Sequence, residues 1–215
     1  MMKKDLVEMV FILDRSGSMQ GLEKQTLAGF NELISEQKTV AGEAVVSTVL
    51  FNHTFDVLHN RLDIHEVRPL SFNDYQVSGT TALLDAIGGA IDKISKIHQH
   101  LPQTERPEKT VFVITTDGME NSSRRYSYSS IKQRIAHRKA HYDWEFIFLG
   151  ANMDAIQTAH RFGIEADRAA RYHSDCEGTR LNYRVIDETV RELRVNKSIR
   201  KDWKNRIEDD FKHRE

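Results

Sequence analysis

Residues 7–18 read VEMVFILDRSGS, a nearly unbroken apolar run followed at once by an acid and two hydroxyls. The run itself, residues 7–13, has the composition of a strand that is buried on both faces of a sheet. Asp14, Ser16 and Ser18 therefore stand where that strand leaves the sheet. Oxygen-bearing side chains in such a position indicate a site for a hard metal ion.

Two further loops offer oxygen ligands in comparable positions. A helical pattern opens with residues 79–83, GTTAL, and the apolar run of residues 111–114 continues into TTDG. In open α/β sheets, ligands bind outside the carboxyl ends of the strands. Three loops therefore offer hard oxygen ligands: the loop of Asp14, Ser16 and Ser18, the loop of Thr80 and Thr81, and the loop of Asp117.

Together these residues resemble the metal-ion-dependent adhesion site (MIDAS) of the von Willebrand factor A (VWA) family, which reads Asp-x-Ser-x-Ser, then a Thr, then an Asp. All five positions are matched, by Asp14, Ser16, Ser18, Thr81 and Asp117. The family's usual Gly-Gly-Thr-x-Leu pattern favours Thr81 over its neighbour in the same loop. The resemblance covers about residues 5–175, with particular likeness to stand-alone bacterial members.

The resemblance also implies roles for these residues. Ser16 and Ser18 would bind a divalent ion directly, and Thr81 would bind it directly or through one water. Asp14 and Asp117 would act mainly through bound waters. Mg²⁺ suits such a site because it prefers an octahedron of oxygens and usually keeps several waters; Mn²⁺ is the other candidate. In the family, an Asp or Glu of a protein partner fills the open coordination position, so the expected function is metal-dependent protein binding.

The composition limits the partner and the compartment. The 215 residues have 39% hydrophobic content and a formal net charge of -1, which fits a globular domain with an appendage and gives no overall basic footprint for nucleic acid. Cys176 is the only cysteine, so no intramolecular disulfide forms and a reducing compartment is favoured. Glu8 interrupts an apolar run that is too short for a signal peptide or membrane span. We expect a cytoplasmic protein without membrane contact, and leave its oligomeric state open.

Strand-like and helix-like segments alternate through most of the chain. This alternation predicts a doubly wound α/β fold, in which helices cover both faces of a mostly parallel sheet. Two strands around a turn at Asn52 and His53 predict a hairpin, and hence one antiparallel edge strand. The predicted strands are residues 6–13, 45–51, 55–62, 111–116, 145–150 and 169–172. Four helices are also predicted: one with an apolar face of Leu27, Phe30 and Ile34, a second with an apolar face of Leu84, Ile87, Ile91 and Ile94, and two more in residues 131–141 and 153–162.

Beyond residue 177 the composition shifts to a charged, helix-rich tail. We therefore expect a VWA-type domain in residues 1–177 and a C-terminal helical extension in residues 178–215. Ile199, Trp203, Ile207 and Phe211 recur every fourth residue, which predicts one apolar face on a single helix. That face either packs on this chain's own domain or serves a partner or a second copy.

Three other groups of residues offer ligands for a metal ion or an anion. His137 and His141 lie one helical turn apart but have no evident third ligand, and His173 with Cys176 supplies only two of the three or four ligands of a zinc site. Arg124 and Arg125 follow Asp117 closely; they either flank the metal face and help to hold an acidic ligand, or belong to a solvated loop.

An enzyme is the alternative from a different class. Phosphatases of the haloacid dehalogenase type need a second Asp two residues after the first, and Ser16 occupies that position. No Gly-x-Ser-x-Gly elbow and no phosphate-binding Gly-x-x-x-x-Gly-Lys-Ser/Thr loop occurs. We find no catalytic constellation, although a bound cation can activate water for hydrolysis. A third reading makes the fold a scaffold whose C-terminal helix mediates association.

Overall fold

A computed structural model describes residues 3–151 and 154–214. Its strands form one six-stranded sheet in the order β3-β2-β1-β4-β5-β6, in which every pairing is parallel except that of β3 with β2. The predicted mostly parallel sheet with one antiparallel edge strand is therefore confirmed. The strands are β1 Lys3–Asp14, β2 Ala44–Phe51, β3 Phe55–Asp63, β4 Pro107–Thr116, β5 Trp144–Ala151 and β6 Ala169–Tyr172.

Helices cover both faces of this sheet. They are α1 Glu23–Gln37, α2 Leu83–His100, α3 Tyr128–Tyr142, α4 Ala155–Phe162, α5 Cys176–Asn196 and α6 Asn205–His213. Buried residues of α1, α5 and α6 pack on one face, and those of α2, α3 and α4 pack on the other. The predicted start of the fourth helix at Met153 lies outside the described residues.

The central position of β1 in the sheet explains why its sequence is apolar almost throughout. Met9 and Phe11 belong to the core on the side of α1 and α5, whereas Val10 and Ile12 belong to the core on the other side. Since successive side chains of a strand point to opposite faces, a central strand covered on both faces is apolar at nearly every position. The sheet thus separates two hydrophobic clusters, and the chain has a core on each side of it.

The order of the strands creates the place for a site. From β1 the chain moves to β2 on one side of the sheet, and later returns to β4 on the other side of β1. The connections after β1 and β4 therefore diverge, which leaves a crevice at the carboxyl ends of these two neighbouring strands. Asp14 ends β1, and Asp117 directly follows the last residue of β4.

The C-terminal segment corrects one prediction. A single helix is predicted by the recurrence of apolar residues at every fourth position, Ile199, Trp203, Ile207 and Phe211, but α6 begins only at Asn205. The helix α5 ends at Asn196, and Lys197 takes the left-handed conformation (φ 59°) that terminates it. Residues 197–204 then turn back, so the first two apolar residues precede α6.

Three residues of the stripe are nevertheless buried in this chain's own core. Ile199, Trp203 and Ile207 join the cluster formed by α1, α5 and the sheet. The indole Nε1 of Trp203 donates a hydrogen bond of 2.7 Å to the carbonyl of Asp167. The stripe therefore packs within the chain, although on two segments rather than one helix. Among the described residues, no helix is both long and apolar enough to cross a membrane.

Candidate metal centre

The carboxyl of Asp14 lies at the end of β1 and is only 1% exposed. Its Oδ1 accepts the backbone N–H of Ser16 at 2.7 Å, and its Oδ2 accepts the hydroxyl of Thr116. The hydroxyl of Tyr75 donates to the backbone carbonyl of Asp14. Burial raises the pKa of the Asp14 carboxyl to about 6 from its ordinary 3.8, and the bonds from Thr116 and Ser16 oppose that rise. The carboxyl is thus held rigidly in a poorly solvated position.

Two serine hydroxyls meet just beyond this carboxyl. Residues 17–19 form a short turn of 3₁₀-helix, which places Ser16 and Ser18 on the same side of the loop. Their Oγ atoms lie 3.1 Å apart, with Ser16 buried and Ser18 exposed. The backbone N–H of Gly17 donates to the carbonyl of Gly79 at 3.0 Å, which ties this loop to the threonine loop.

The threonine loop brings Thr81 to the cluster and leaves Thr80 exposed. Thr81 is 3% exposed, and its backbone is fixed by Asn121, whose Oδ1 accepts the N–H of Thr81 at 2.9 Å. In return the N–H of Asn121 donates to the carbonyl of Thr81 at 3.1 Å. The second and third loops are therefore held together by two hydrogen bonds, one to the side chain of Asn121 and one between backbone groups.

Asp117 completes the cluster from the third loop. Its side chain is 3% exposed; Oδ1 accepts the hydroxyl of Ser18, and Oδ2 accepts that of Ser174 at 3.1 Å. Burial raises the pKa of Asp117, and the bonds from the two serines oppose the rise. The charges of Asp14 and Asp117 also repel, which raises the pKa of Asp14 further.

Gly118 shows how closely the three hydroxyls converge. A Cβ atom on this glycine would lie 2.7 Å from Oγ1 of Thr81, 3.0 Å from Oγ of Ser18 and 3.3 Å from Oγ of Ser16. One carbon atom would therefore touch all three hydroxyls. Neutral hydroxyls beside two carboxylates are the oxygen ligands that Mg²⁺ and Mn²⁺ prefer. The residues present fit such an ion.

The carboxylates of the cluster form no ion pair with a cationic side chain of the described residues. Across residues 3–151 and 154–214, none of the ion pairs of the structure involves Asp14 or Asp117. A buried carboxylate without a positive partner is costly to ionise. The arrangement therefore favours binding of a cation.

The histidine candidates lie on α3 and just before α5. The rings of His137 and His141 are 4.4 Å apart, but no group of three or more His, Cys, Asp or Glu within the described part of the chain is arranged to hold a metal ion. His173 stacks on Phe211 instead, and Cys176 is an exposed free thiol.

Arg124 and Arg125 lie on the exposed loop after Asp117. Their backbone N–H groups bond to the carboxylate of Asp85 in the first turn of α2, at 2.9 Å each. Arg125 also lines a cavity of about 280 Å³ together with His53, Phe55 and Ala82. Neither arginine side chain hydrogen-bonds to the hydroxyl cluster in the described structure.

Three residues that contact the cluster were not predicted from the sequence: Thr116, Asn121 and Ser174. Thr116 could have been found, because it adjoins Asp117 and is the last residue of the predicted strand. Asn121 and Ser174 carried no local signal. For Ser174 the only clue is positional, since it follows a short predicted strand whose carboxyl end reaches the same edge of the sheet.

Comparison with known proteins provides structural neighbours only. No protein-family model matches the chain, and no curated protein sequence matches it. One similar solved structure is proximal thread matrix protein 1 from the mussel byssus with a zinc-occupied MIDAS motif, at 13% identity and a TM-score of 0.59 over 86% of this chain and 46% of that one.

Two further structures share the same architecture. A mutant of the PilB minor pilin from Streptococcus sanguinis has 11% identity and a TM-score of 0.58, over 92% of this chain and 64% of that one. The von Willebrand factor type A structure from Catenulispora acidiphila has 15% identity and a TM-score of 0.55, over 85% and 42%. The chain thus spans between 42% and 64% of the length of these three structures. With its sheet order and its hydroxyl cluster at the carboxyl ends of β1 and β4, the chain has the fold of von Willebrand factor A domains.

Proposed function

We propose that this chain is a protein-binding module of the VWA type, which captures an acidic side chain of a partner through a divalent ion. Asp14, Ser16, Ser18, Thr81 and Asp117 would hold Mg²⁺ or Mn²⁺. The observation that carries the proposal is a pair of buried carboxylates that face converging hydroxyls and form no ion pair with the residues that the structure describes. The zinc-occupied MIDAS motif of the mussel protein supports the choice of a divalent ion.

The donor set suits capture of an anion. Two carboxylates balance the charge of a divalent ion, whereas neutral hydroxyls donate electron density weakly and leave it attractive to a further anionic oxygen. When bound, the ion supplies that electrostatic attraction. The chain's own residues keep the ligands in place: Thr116 and the N–H of Ser16 fix one carboxylate, and Ser18 and Ser174 fix the other.

The rim of the cluster favours a protein as the partner. Met119, which follows Gly118, is 66% exposed and so offers an apolar contact beside the cluster. Arg124 and Arg125 are also exposed beyond it. An acidic residue on a protein surface would find an apolar contact and positive charge around the ion, which favours an acidic protein segment over a small molecule.

Binding is favoured over catalysis by the contacts of the two serines. The hydroxyls of Ser16 and Ser18 bond to each other and to Asp117, and no histidine within residues 3–151 and 154–214 hydrogen-bonds to either. A serine nucleophile needs such a base. We also propose a cytoplasmic location, because Cys176, the only cysteine of the sequence, is exposed and free.

The first test is metal binding by the full chain. We expect calorimetry to detect Mg²⁺ and Mn²⁺ binding by the wild type and not by the Ser16→Ala, Ser18→Ala double variant, which lacks two of the proposed direct ligands. The ion at 100 times its dissociation constant should stabilise the fold by about 2.7 kcal/mol. Ser129→Ala, on the exposed surface of α3, is the matched control. Melting temperatures of the wild type that are identical in metal and in chelator would contradict the site.

The second test asks whether the bound ion accepts a carboxylate. Protein-bound Mn²⁺ enhances the relaxation of water protons, and a carboxylate that replaces a bound water lowers that enhancement. We expect acetate to lower it relative to chloride at equal ionic strength. Metal-dependent capture of a partner should then fail in the double variant and in chelator. If acetate left the enhancement unchanged, the ion would have only a structural role, and the proposed binding role would be overturned.

A further inference from the structure

The two oxygens of Asp117 are held by two different loops. Oδ1 accepts the hydroxyl of Ser18, which is itself one of the proposed ligands. Oδ2 accepts the hydroxyl of Ser174 at 3.1 Å. Ser174 lies between β6 and α5, 57 residues further along the chain, and lies outside the five-residue motif. A carboxylate that is bonded through both oxygens cannot rotate about its terminal bond without breaking one of them.

The loop that carries Ser174 is fixed at its α5 end. Oδ1 of Asp175 accepts the N–H of Gly178 at 2.8 Å and so caps the first turn of α5. The N–H of Asp175 donates to the carbonyl of His173 at 2.9 Å. A Cβ atom on Gly178 would lie 2.2 Å from that same carbonyl oxygen, so this close approach requires glycine. The backbone on both sides of Ser174 is therefore rigid.

The last residues of the described chain hold the same loop from outside. The ring of His173 stacks on Phe211 at 4.4 Å, and its Nε2 lies 3.1 Å from the carbonyl oxygen of Phe211. Arg214 donates from Nη1 to Oδ2 of Asp175 at 2.7 Å. Residues on each side of Ser174 are thus anchored by α6 and the residue that follows it.

We infer that Ser174 is a positioning residue of the metal centre: its hydroxyl holds Asp117 in the orientation that directs Oδ1 to the hydroxyl cluster. The inference rests on the proposed function, since it concerns affinity for the same ion. Partners that orient a ligand from behind typically change metal affinity 10- to 100-fold when they are removed. Without Ser174, the carboxylate of Asp117 would lose rotational freedom when the ion binds, and this entropy loss would weaken binding.

A purely structural role predicts a different result. If Ser174 only satisfies a buried carboxylate, its loss should lower the melting temperature of the metal-free protein and leave the dissociation constant for the ion unchanged. A positioning role predicts that the dissociation constant rises. Both quantities can be measured on the same variants, so the two roles are separable.

The experiment measures Mn²⁺ and Mg²⁺ affinity by calorimetry for the full-length wild type, Ser174→Ala and Ser174→Thr, with Ser129→Ala as the control. Melting temperatures in chelator are recorded for each variant. We expect Ser174→Ala to raise the dissociation constant for Mn²⁺ about tenfold, the lower end of the effect of such partners. The hydroxyl of Ser174→Thr should restore it, and Ser129→Ala should match the wild type.

A second variant tests the anchor. Arg214→Ala removes the bond to Asp175 without touching Asp117, so it should weaken Mn²⁺ binding in the same direction but less than Ser174→Ala. An unchanged dissociation constant in Ser174→Ala overturns the inference, as does a loss that Ser174→Thr fails to restore. A wild type that binds neither ion overturns the proposed function, and the role of Ser174 falls with it.

Discussion

Glu8 lies in the middle of the apolar strand β1 and is fully buried. Its carboxylate pairs with Nε2 of His98 at 2.5 Å and with Nε of Arg61 at 3.3 Å. The side chains of His98 and Arg61 are only 7% and 19% exposed. The sequence shows Glu8 as an interruption of an apolar run, but its partners are far away in sequence, on α2 and β3, so only the fold reveals that the charge is compensated.

At this residue we predict a large loss of stability for Glu8→Ala, because the change leaves the buried His98 and the partly buried Arg61 without their anion. Breaking a buried pair in this way typically costs about 3–5 kcal/mol. Urea unfolding measures the change. Glu43→Ala is the control, since Glu43 pairs with Lys3 at the surface and such pairs contribute about 0–1 kcal/mol. Equal effects of the two substitutions would show that the buried network does not stabilise the fold.

The proposed ligands themselves could be chosen from the sequence, because each follows an apolar run or opens a helical pattern. The residues that hold these ligands in place could not be chosen in this way. Thr116 and Ser174 act on the carboxylates through single hydrogen bonds, and a lone hydroxyl in a sequence has no pattern that distinguishes it. Periodicity also cannot separate Thr80 from Thr81, which differ only in the direction of the side chain at a loop.

At the scale of the element, α5 and α1 stabilise each other through a buried arginine. Arg194 of α5 is 4% exposed, and its guanidinium donates to the carbonyls of Gln37, Val40 and Gly42. The carbonyls at the end of a helix need such donors, because they have no partner within the helix. An arginine in a charged tail therefore caps a helix more than 150 residues earlier, a role that no local pattern indicates.

The tail also shows the limit of periodicity. The recurrence of apolar residues at every fourth position predicts the burial of Ile199, Trp203 and Ile207 correctly. It does not detect the end of α5 at Lys197, whose left-handed backbone breaks the helix. The division expected after residue 177 stays a prediction. It falls in the first turn of α5, whose buried face belongs to the same cluster as the sheet.

For α6 we predict that Ile207→Ala destabilises the protein by about 2–5 kcal/mol, the usual loss for truncating a buried isoleucine. Ile207 is 1% exposed, in the core cluster with α1 and α5. Val195→Ala is the control, because Val195 is 62% exposed on α5 and should change stability by no more than about 0.5 kcal/mol. Denaturant unfolding, with light scattering to follow the mass, checks both. A variant Ile207→Ala of unchanged stability and altered mass would instead mean that this face serves a second copy.

For the whole molecule, the doubly wound architecture and its antiparallel edge follow from the alternation of segments and from the hairpin around Asn52. The position of β4 beside β1 does not follow from any pattern within those strands. It is a property of the topology, and it is what brings Asp14 and Asp117 to neighbouring strand ends. The sequence indicates that juxtaposition only through the family resemblance, since spacing along the chain carries no information about strand order.

The separation of the core into two clusters has a spectroscopic consequence. Trp144 belongs to the cluster on the side of α2 and α3, and Trp203 to the cluster on the opposite face of the sheet. Because these are the only two tryptophans of the sequence, Trp144→Phe and Trp203→Phe each leave one fluorophore that reports on one face alone. If β1, shared by both clusters, couples them into one cooperative unit, fluorescence and far-ultraviolet circular dichroism should give the same midpoint within each variant. A midpoint by fluorescence that departs from that by circular dichroism in the same sample would mean that one face of the sheet loosens while the other stays folded.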